Sequence, residues 1–195
     1  LFKTFGYIFT ELELLKGLKY RFSVGGDYSN YEYNFFDPST VGAYRAAAPD
    51  ITFANRTEYI RKNYLIENLL SFDRKWGNHR VDAIAGQSFQ QEDNTQLFTE
   101  ATAFPDNSIK NIAGGTSFKN TLTQYKWRLL SYFTRVNYTF DNKYNVMASY
   151  RRDGSSRFGK NSKWGDFYAF SAGWTISNES FFPENNIVTD LKLRY

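Results

Sequence analysis

Apolar side chains recur at every second position in several long runs of this sequence. The clearest run lies between Tyr144 and Tyr150, where Val146 and Ala148 share the parity of the two tyrosines and polar residues take most of the positions between them. A period of two places the two sets on opposite faces of a β-strand, whereas an amphipathic helix would need a period of about 3.6. The sequence is also rich in Phe (19) and Tyr (15), which favour strands. These patterns predict an all-β chain.

The same alternation predicts an antiparallel, up-and-down meander of about eight long strands. They are expected at about 4–14, 18–36 and 57–74, from 79 into the polar run 90–96, at 122–140, from 144 to the charged residues after 150, at 168–176, and from 191 onward. The connections at 15–17, 75–78 and 141–143 are short, and those at 37–55, 99–120 and 153–163 are long. Strands of about 15 residues exceed the usual length of about 5 to 6 in soluble sheets. Long strands with turns on one side and loops on the other are typical of outer-membrane barrels.

Alternation alone does not say whether the apolar face contacts lipid or a protein core. No run approaches the roughly 20 consecutive apolar residues of a membrane helix, but a barrel strand needs only half of its residues to be apolar. Aromatic residues near the strand ends fit the interfacial girdles of a membrane barrel; they are Tyr138, Phe140, Tyr144, Tyr150 and Trp164. These girdles favour part of a large transmembrane β-barrel. The alternative is a soluble antiparallel β-rich carbohydrate-binding module with the aromatic face as its core.

The ionisable residues support neither nucleic-acid binding nor catalysis. The 24 basic and 20 acidic residues are spread along the chain, whereas a nucleic-acid surface needs clustered cations. Cysteine is absent and His79 is the sole histidine, so the sequence offers no set of metal ligands and no catalytic histidine with partners. We therefore expect no metal and no cofactor.

Several carboxylates raise the further option of a β-rich glycosidase, which needs two carboxyl groups at a defined separation in a cleft. Glu11 and Glu13 share one face of the first strand, and Glu67 and Asp73 share a face of the third. Charged groups on the wet face of a barrel wall are the favoured explanation of these carboxylates. The adjacent Glu92 and Asp93 fall short of the 6 to 8 oxygen ligands that Ca²⁺ takes. We therefore expect no enzymatic activity.

The last third of the chain carries a recognisable pattern. RRDGSSRFG (151–159), the Lys163-Trp164-Gly165 turn, FSAGWTISNESFF (170–182) and DLKLRY (190–195) follow one another in an order and spacing that resemble the barrel of SusC/RagA-like TonB-dependent outer-membrane transporters. RVNYTFDNKY (135–144) and GLKYRFSVGGDYSN (17–30) are similar as well. The resemblance implies a barrel of about 22 strands plugged by an N-terminal domain. Residues 1–195 are then expected to form one partial barrel domain.

The resemblance also implies function and partners. It implies uptake of glycans, glycopeptides or peptides across the outer membrane. The implied partners are a SusD-like surface lipoprotein and the lipid bilayer, with the TonB complex acting through the plug, and this chain supplies wall and external loops. The motif Arg151, Arg152, Asp153, Gly154, Ser155, Ser156, Arg157 and Phe158 is expected to be structural, since Asp-Gly is turn chemistry, rather than an anion or sugar site. The expected cargo-facing residues are Tyr28, Tyr31, Tyr33, Phe35 and Phe36.

Overall fold

A computed structural model describes residues 1–40, 52–159, 162–183 and 188–195. These residues form an eight-stranded sheet whose strands lie in sequence order, and β5 to β8 pair antiparallel. The strands are β1 (Phe2–Leu15), β2 (Leu18–Asp37), β3 (Phe53–Trp76), β4 (His79–Thr102), β5 (Ser117–Phe140), β6 (Tyr144–Ser155), β7 (Trp164–Thr175) and β8 (Lys192–Arg194). Two 3₁₀ turns lie at Ile112–Gly114 and Ile176–Asn178. None of the described helical segments has the length and apolar character needed to cross a membrane. The predicted all-β meander is confirmed.

The described residues fall into two compact units. The first unit comprises Leu1–Gly6, Gly26–Tyr64 and Glu92–Lys126, and the second comprises Tyr7–Gly25, Leu65–Gln91 and Trp127–Tyr195. Strands β1 to β5 contribute residues to both units. The turn glycines Gly17 and Gly77 belong to the second unit.

The strands extend further than the apolar pattern predicts. The polar run 90–96 lies inside β4, which continues to Thr102, and β5 already begins at Ser117; the predicted fading of this strand and the predicted loop 99–120 are therefore wrong in extent. Cross-strand polar contacts support this part of the sheet, including Lys126 Nζ to Asp93 Oδ1 at 3.3 Å. The backbone ladder needs no apolar side chains, so alternation fades before the strand ends. Part of the predicted loop 37–55 lies outside the described residues.

The RRDGSSRF segment is also more regular than predicted. Its first five residues belong to β6, and Trp164 and Gly165 begin β7 rather than forming a turn. Arg152 pairs with Asp166 and Asp153 with Gly165 in the β6–β7 ladder. The charged residues thus continue the sheet, and the described loop residues begin at Ser156.

The short turns show why particular residues occupy them. Gly17 has φ +84° and Gly77 has φ +55°, a region that costs other residues steric strain. The Gly17 carbonyl accepts a hydrogen bond of 2.8 Å from the Asp73 N–H. A Cβ on Gly17 would collide with the Asp73 carbonyl oxygen, whereas a Cβ on Gly77 would meet nothing within 4 Å. The first turn therefore packs against β3 backbone, and the second does not.

The third tight turn carries an acidic and aromatic cluster. Glu179 Oε1 accepts hydrogen bonds from the Tyr144 hydroxyl at 2.6 Å and from the Trp174 indole N–H at 3.0 Å. Lys143 Nζ lies 3.1 Å from Asp141 and 3.3 Å from Glu179. The hydrogen bonds from Tyr144 and Trp174, helped by Lys143, lower the pKa of Glu179. Asp141, followed by Glu179, raises the pKa of Lys143. The cluster ties the β5–β6 turn to the connection after β7.

The apolar face of the sheet is open. Among the described residues only Ala54 and Ala101 are buried hydrophobic residues. Phe170 is 76% exposed and Val146 is 53% exposed, although both lie on the apolar side of their strands. A soluble module with this face as its core would need a second layer over it. An uncovered apolar face is what a barrel wall presents to lipid.

Candidate functional site

The structure divides the predicted cargo-facing group of β2 into two sets. Because side chains alternate along a strand, Tyr31, Tyr33 and Phe35 share one face, while Tyr28 and Phe36 lie on the other. Phe36 packs edge-on against Phe104 at 5.7 Å between ring centroids. Tyr28 packs against the Phe2 ring at 6.2 Å. Tyr28 and Phe36 therefore have aromatic neighbours of their own on the opposite face.

The first set joins aromatic residues of β3. The Tyr31 and Tyr59 rings lie 6.3 Å apart, and the Phe35 and Phe53 rings 5.6 Å apart. Tyr31, Tyr33 and Tyr59 are each between 40% and 50% exposed. Exposed aromatic faces can stack on sugar rings or on planar groups of a peptide. We call Tyr31 and Tyr59 the aromatic pair.

A polar row lies beside the aromatic pair. Arg61 Nη2 is 3.4 Å from Asp27 Oδ1, and Arg61 Nε is 3.8 Å from Glu92 Oε2. Asn63 donates to Asp27 at 2.9 Å, and Asn94 donates to Glu92 at 2.7 Å. The two carboxylates are largely covered, at 18% and 16% side-chain exposure, whereas Arg61 is 48% exposed. We call Asp27, Arg61 and Glu92 the Arg61 row.

The row and the pair share a face of the sheet. Asp27 and Tyr31 have the same parity on β2, as do Arg61 and Tyr59 on β3. Asp27 also has the parity of Lys19, Arg21 and Ser23, the polar positions of the strand. In a barrel the polar positions line the wet interior. The arrangement combines exposed aromatic surface with a guanidinium and two carboxylates, a combination that can stack on a ring and hydrogen-bond to hydroxyl or amide groups.

Sequence reasoning identified only part of this site. It selected Tyr31, Tyr33 and Phe35 from their density in one stretch, and it missed Asp27, Arg61 and Tyr59. Glu92 was considered only as a calcium ligand. The missing information is the register of β2 against β3 and β4, which a period of two does not contain.

Arg151 and Asp153 of the RRDGSSRF motif form a polar cluster with Ser131. Arg151 Nε lies 2.8 and 2.9 Å from the two Asp153 carboxylate oxygens. Arg151 Nη2 donates to the Ser131 hydroxyl at 3.2 Å, and Ser131 is fully buried. Arg151 and Asp153 therefore satisfy each other on one face of β6.

The second half of the motif shapes the start of the β6–β7 loop. Ser156 N–H donates to the Arg128 carbonyl at 2.9 Å, and Arg128 N–H donates to the Ser156 hydroxyl at 2.8 Å. Phe158 N–H donates to the Ser155 carbonyl at 3.2 Å. The Arg157 guanidinium lies 4.8 Å from the centre of the Trp127 ring. Each of these motif residues makes a contact within the protein.

Four of the remaining candidate residues have local partners. His79 Nδ1 lies 2.7 Å from the Tyr138 hydroxyl, and Glu67 accepts from the Ser23 hydroxyl at 3.3 Å. Asp73 pairs with Arg80 at 2.6 Å, and Glu11 pairs with Lys19 at 3.4 Å. Within the described part of the chain, no group of three or more His, Cys, Asp or Glu side chains is placed to hold a metal ion.

Known proteins with similar sequences are TonB-dependent receptors. The chain is 31% identical over 185 residues to TonB-dependent receptor P3 of Formosa agariphila, which covers 93% of this chain and 18% of that protein. It is 47% identical over 66 residues to TonB-dependent receptor SusC of Bacteroides thetaiotaomicron, covering 34% of this chain and 7% of that protein. The chain thus spans less than a fifth of the length of the curated relatives it matches. No protein-family model matches it.

Solved structures give the same architecture. The chain superimposes on the RagAB peptide transporter with a TM-score of 0.84 at 21% identity, covering 97% of this chain and 21% of that one. The RagAB peptide importer in its open-open state gives a TM-score of 0.85 at 21% identity. Likeness at this identity establishes the fold.

Proposed function

We propose that this chain, which belongs to the SusC/RagA-like TonB-dependent receptors, supplies barrel wall and external loops of an outer-membrane transporter that imports glycans, glycopeptides or peptides. Residues 1–195 act as one part of that barrel. The relatives are named as TonB-dependent receptors, and the solved neighbours as peptide transporters or importers. We propose no catalytic step for this chain.

The observation that carries the proposal is the Arg61 row beside the aromatic pair, on the polar side of β2 and β3. Asp27 and Glu92 hold Arg61 from two sides, so its position is restrained while about half of its side chain stays exposed. The restrained Arg61 guanidinium next to exposed tyrosine rings suits cargo that has both flat ring surfaces for stacking and groups that form hydrogen bonds. Sugars and peptides both meet that description.

The partners follow from the family. We propose that a SusD-like surface lipoprotein closes over the loop side of the barrel, and that the TonB complex drives transport through a plug encoded outside these residues. Within the RRDGSSRF motif, we propose a structural role for Arg151 and Asp153, which neutralise each other, and for Ser155, Ser156 and Phe158, whose N–H groups bond to backbone carbonyls.

Cargo binding tests the site most directly. The full-length receptor that carries this chain is purified in detergent and screened against defined oligosaccharides and tryptic peptides, and binding is measured by calorimetry. We expect Tyr59→Ala to weaken cargo binding by roughly 5- to 150-fold, since stacking and ring burial contribute about 1 to 3 kcal/mol. Arg61→Gln is expected to weaken it by about tenfold through loss of charge-assisted hydrogen bonds. Tyr28→Ala is the matched control, because Tyr28 lies on the other face.

Transport and partner assembly are measured separately. Cells that carry only the Tyr59→Ala receptor should take up cargo more slowly, at equal receptor abundance in the outer membrane. Copurification from those membranes should retain a surface lipoprotein in both wild type and variant. Equal losses in Tyr28→Ala and Tyr59→Ala would refute the assignment of the cargo site to this face. Normal uptake by a strain lacking the receptor would refute the import function.

A further inference from the structure

The apolar face of β5, β6 and β7 ends at a defined level. On this face, the register of these three strands brings together even-numbered residues. The rows before this level are Tyr138 with Val146 and Ala172, Val136 with Ala148 and Phe170, and Thr134 with Tyr150 and Tyr168. The next row is Tyr132, Arg152 and Asp166. An arginine therefore stands on the side of the sheet that faces lipid.

Arg152 is held in place by its neighbours. Its guanidinium carbon lies 5.2 Å from the centre of the Trp164 ring, and its Nε lies 3.8 Å from Asp166. The Trp164 ring stacks with Tyr132 at 6.2 Å. A Cβ on Gly154 would lie 2.8 Å from three atoms of that ring, so the glycine gives the ring its space. About half of the Arg152 side chain remains exposed.

A second arginine follows on the same face. Arg128 lies on the same face of β5 as Tyr132, four residues before it in the sequence. Its Nε donates to Gln91 at 2.9 Å, a neutral partner. The two guanidinium groups carry two positive charges, and the Asp166 carboxylate supplies one negative charge. The net charge at this level is therefore positive. We call Arg128, Arg152 and Trp164 the interfacial patch.

The depth of the patch matches a membrane surface. From Tyr144 in the turn-side girdle to Arg152 the strand advances by about 27 Å, at about 3.4 Å per residue. A tilt of about 40° reduces this to roughly 20 Å, close to the apolar band of about 25 Å in outer-membrane barrels. An arginine facing lipid is costly at the midplane and nearly neutral at the interface. Tryptophan and arginine together are typical of the headgroup level.

We propose that the interfacial patch binds the phosphate group of an anionic lipid headgroup on the loop side of the membrane. Guanidinium forks bind phosphate through paired charge-assisted hydrogen bonds, and the Trp164 indole covers the adjoining glycerol or sugar region. This lipid site lies within the second unit, on the apolar side of β5, β6 and β7. It rests on the barrel fold and is independent of which cargo the receptor imports.

Lipid retention by the full-length receptor tests the proposal. The receptor in mixed micelles of dodecyl maltoside, phosphatidylglycerol and phosphatidylcholine is analysed by native mass spectrometry. We expect Arg152→Gln and Arg128→Gln each to lower phosphatidylglycerol retention about fivefold, with phosphatidylcholine unchanged. Arg135→Gln is the matched control, because Arg135 pairs with Ser149 on the polar face of the same strands. It removes the same charge and should leave retention unchanged.

A conservative variant and a competition with inorganic phosphate complete the test. Arg152→Lys keeps the charge without the fork and should give an intermediate loss, and it replaces Arg152→Gln if that variant does not fold. Inorganic phosphate at 10 mM (about a ten-thousandfold excess over micromolar lipid sites) should not displace the lipid. Equal effects of Arg135→Gln and Arg152→Gln would show that retention depends on net charge alone, which contradicts a site at Arg152. Unchanged retention in the double variant, or displacement by phosphate, would overturn the proposal.

Discussion

The turn between β1 and β2 offers a quantitative test of the sheet geometry. Gly17 and Gly77 both occupy the left-handed region, at φ +84° and +55°, and both sit in tight turns of the second unit. Only Gly17 approaches another strand, where an added Cβ would collide with the Asp73 carbonyl oxygen. The pair Gly17→Ala and Gly77→Ala therefore separates backbone strain from steric collision.

The expected magnitudes follow from these contacts. Gly77→Ala should cost about 1 to 2 kcal/mol of unfolding free energy, the price of a Cβ in left-handed backbone. Gly17→Ala carries the same strain, adds about 1 to 3 kcal/mol for overpacking against rigid backbone, and weakens the 2.8 Å hydrogen bond from Asp73 N–H to Gly17 O. That bond contributes about 1 kcal/mol. Gly17→Ala should therefore be the more destabilising by about 2 to 4 kcal/mol.

The measurement is denaturant unfolding of the full-length receptor folded into lipid vesicles, followed by tryptophan fluorescence. The variants are compared where the unfolding free energy has the same slope against denaturant concentration, because a change in midpoint then reports a change in free energy. Equal losses in the two variants would refute the close approach of the first turn to β3. A loss larger in Gly77→Ala would refute the assignment of the two turns altogether.

Three further predictions concern the other local contacts. Glu179→Gln should lower the thermal stability of the receptor by a constant amount between about pH 5 and 9, because the hydrogen bonds from Tyr144 and Trp174 lower the pKa of Glu179 below its unfolded value of about 4.3; the difference from wild type should shrink as the pH falls below about 4, and a difference that does not shrink on acidification would contradict it. Gly154→Ala should displace the Trp164 ring and cost about 1 to 3 kcal/mol, measured by denaturant unfolding, whereas Gly159→Ala, where a Cβ meets nothing within 4 Å, should be neutral. Asn107→Ala should speed proteolysis of the loop 103–116, because Asn107 accepts a 2.7 Å hydrogen bond from Thr52 Oγ1; an unchanged digestion rate would show that this bond does not order the loop.

The local sequence determined much of this protein. Alternation with a period of two identified the strands and the apolar face of Tyr144, Val146 and Ala148, because that pattern depends only on neighbouring residues. Short connections at the Gly17 and Gly77 turns set the meander, because such turns can join only antiparallel neighbours. The RRDGSSRF pattern was enough to suggest the family.

The ends of the strands and the composition of the sites needed the tertiary structure. The run 90–96 carries no apolar alternation, and it stays in β4 because backbone pairing and contacts such as Lys126 to Asp93 hold it there. Arg61 meets Asp27 and Glu92 only through the register of three strands, a non-local property that a shift of one residue would reverse. Pairing between strands also places the Tyr59 ring beside Tyr31. A local pattern predicts which residues share a face of one strand. Only the pairing between strands determines which residues of neighbouring strands contact each other.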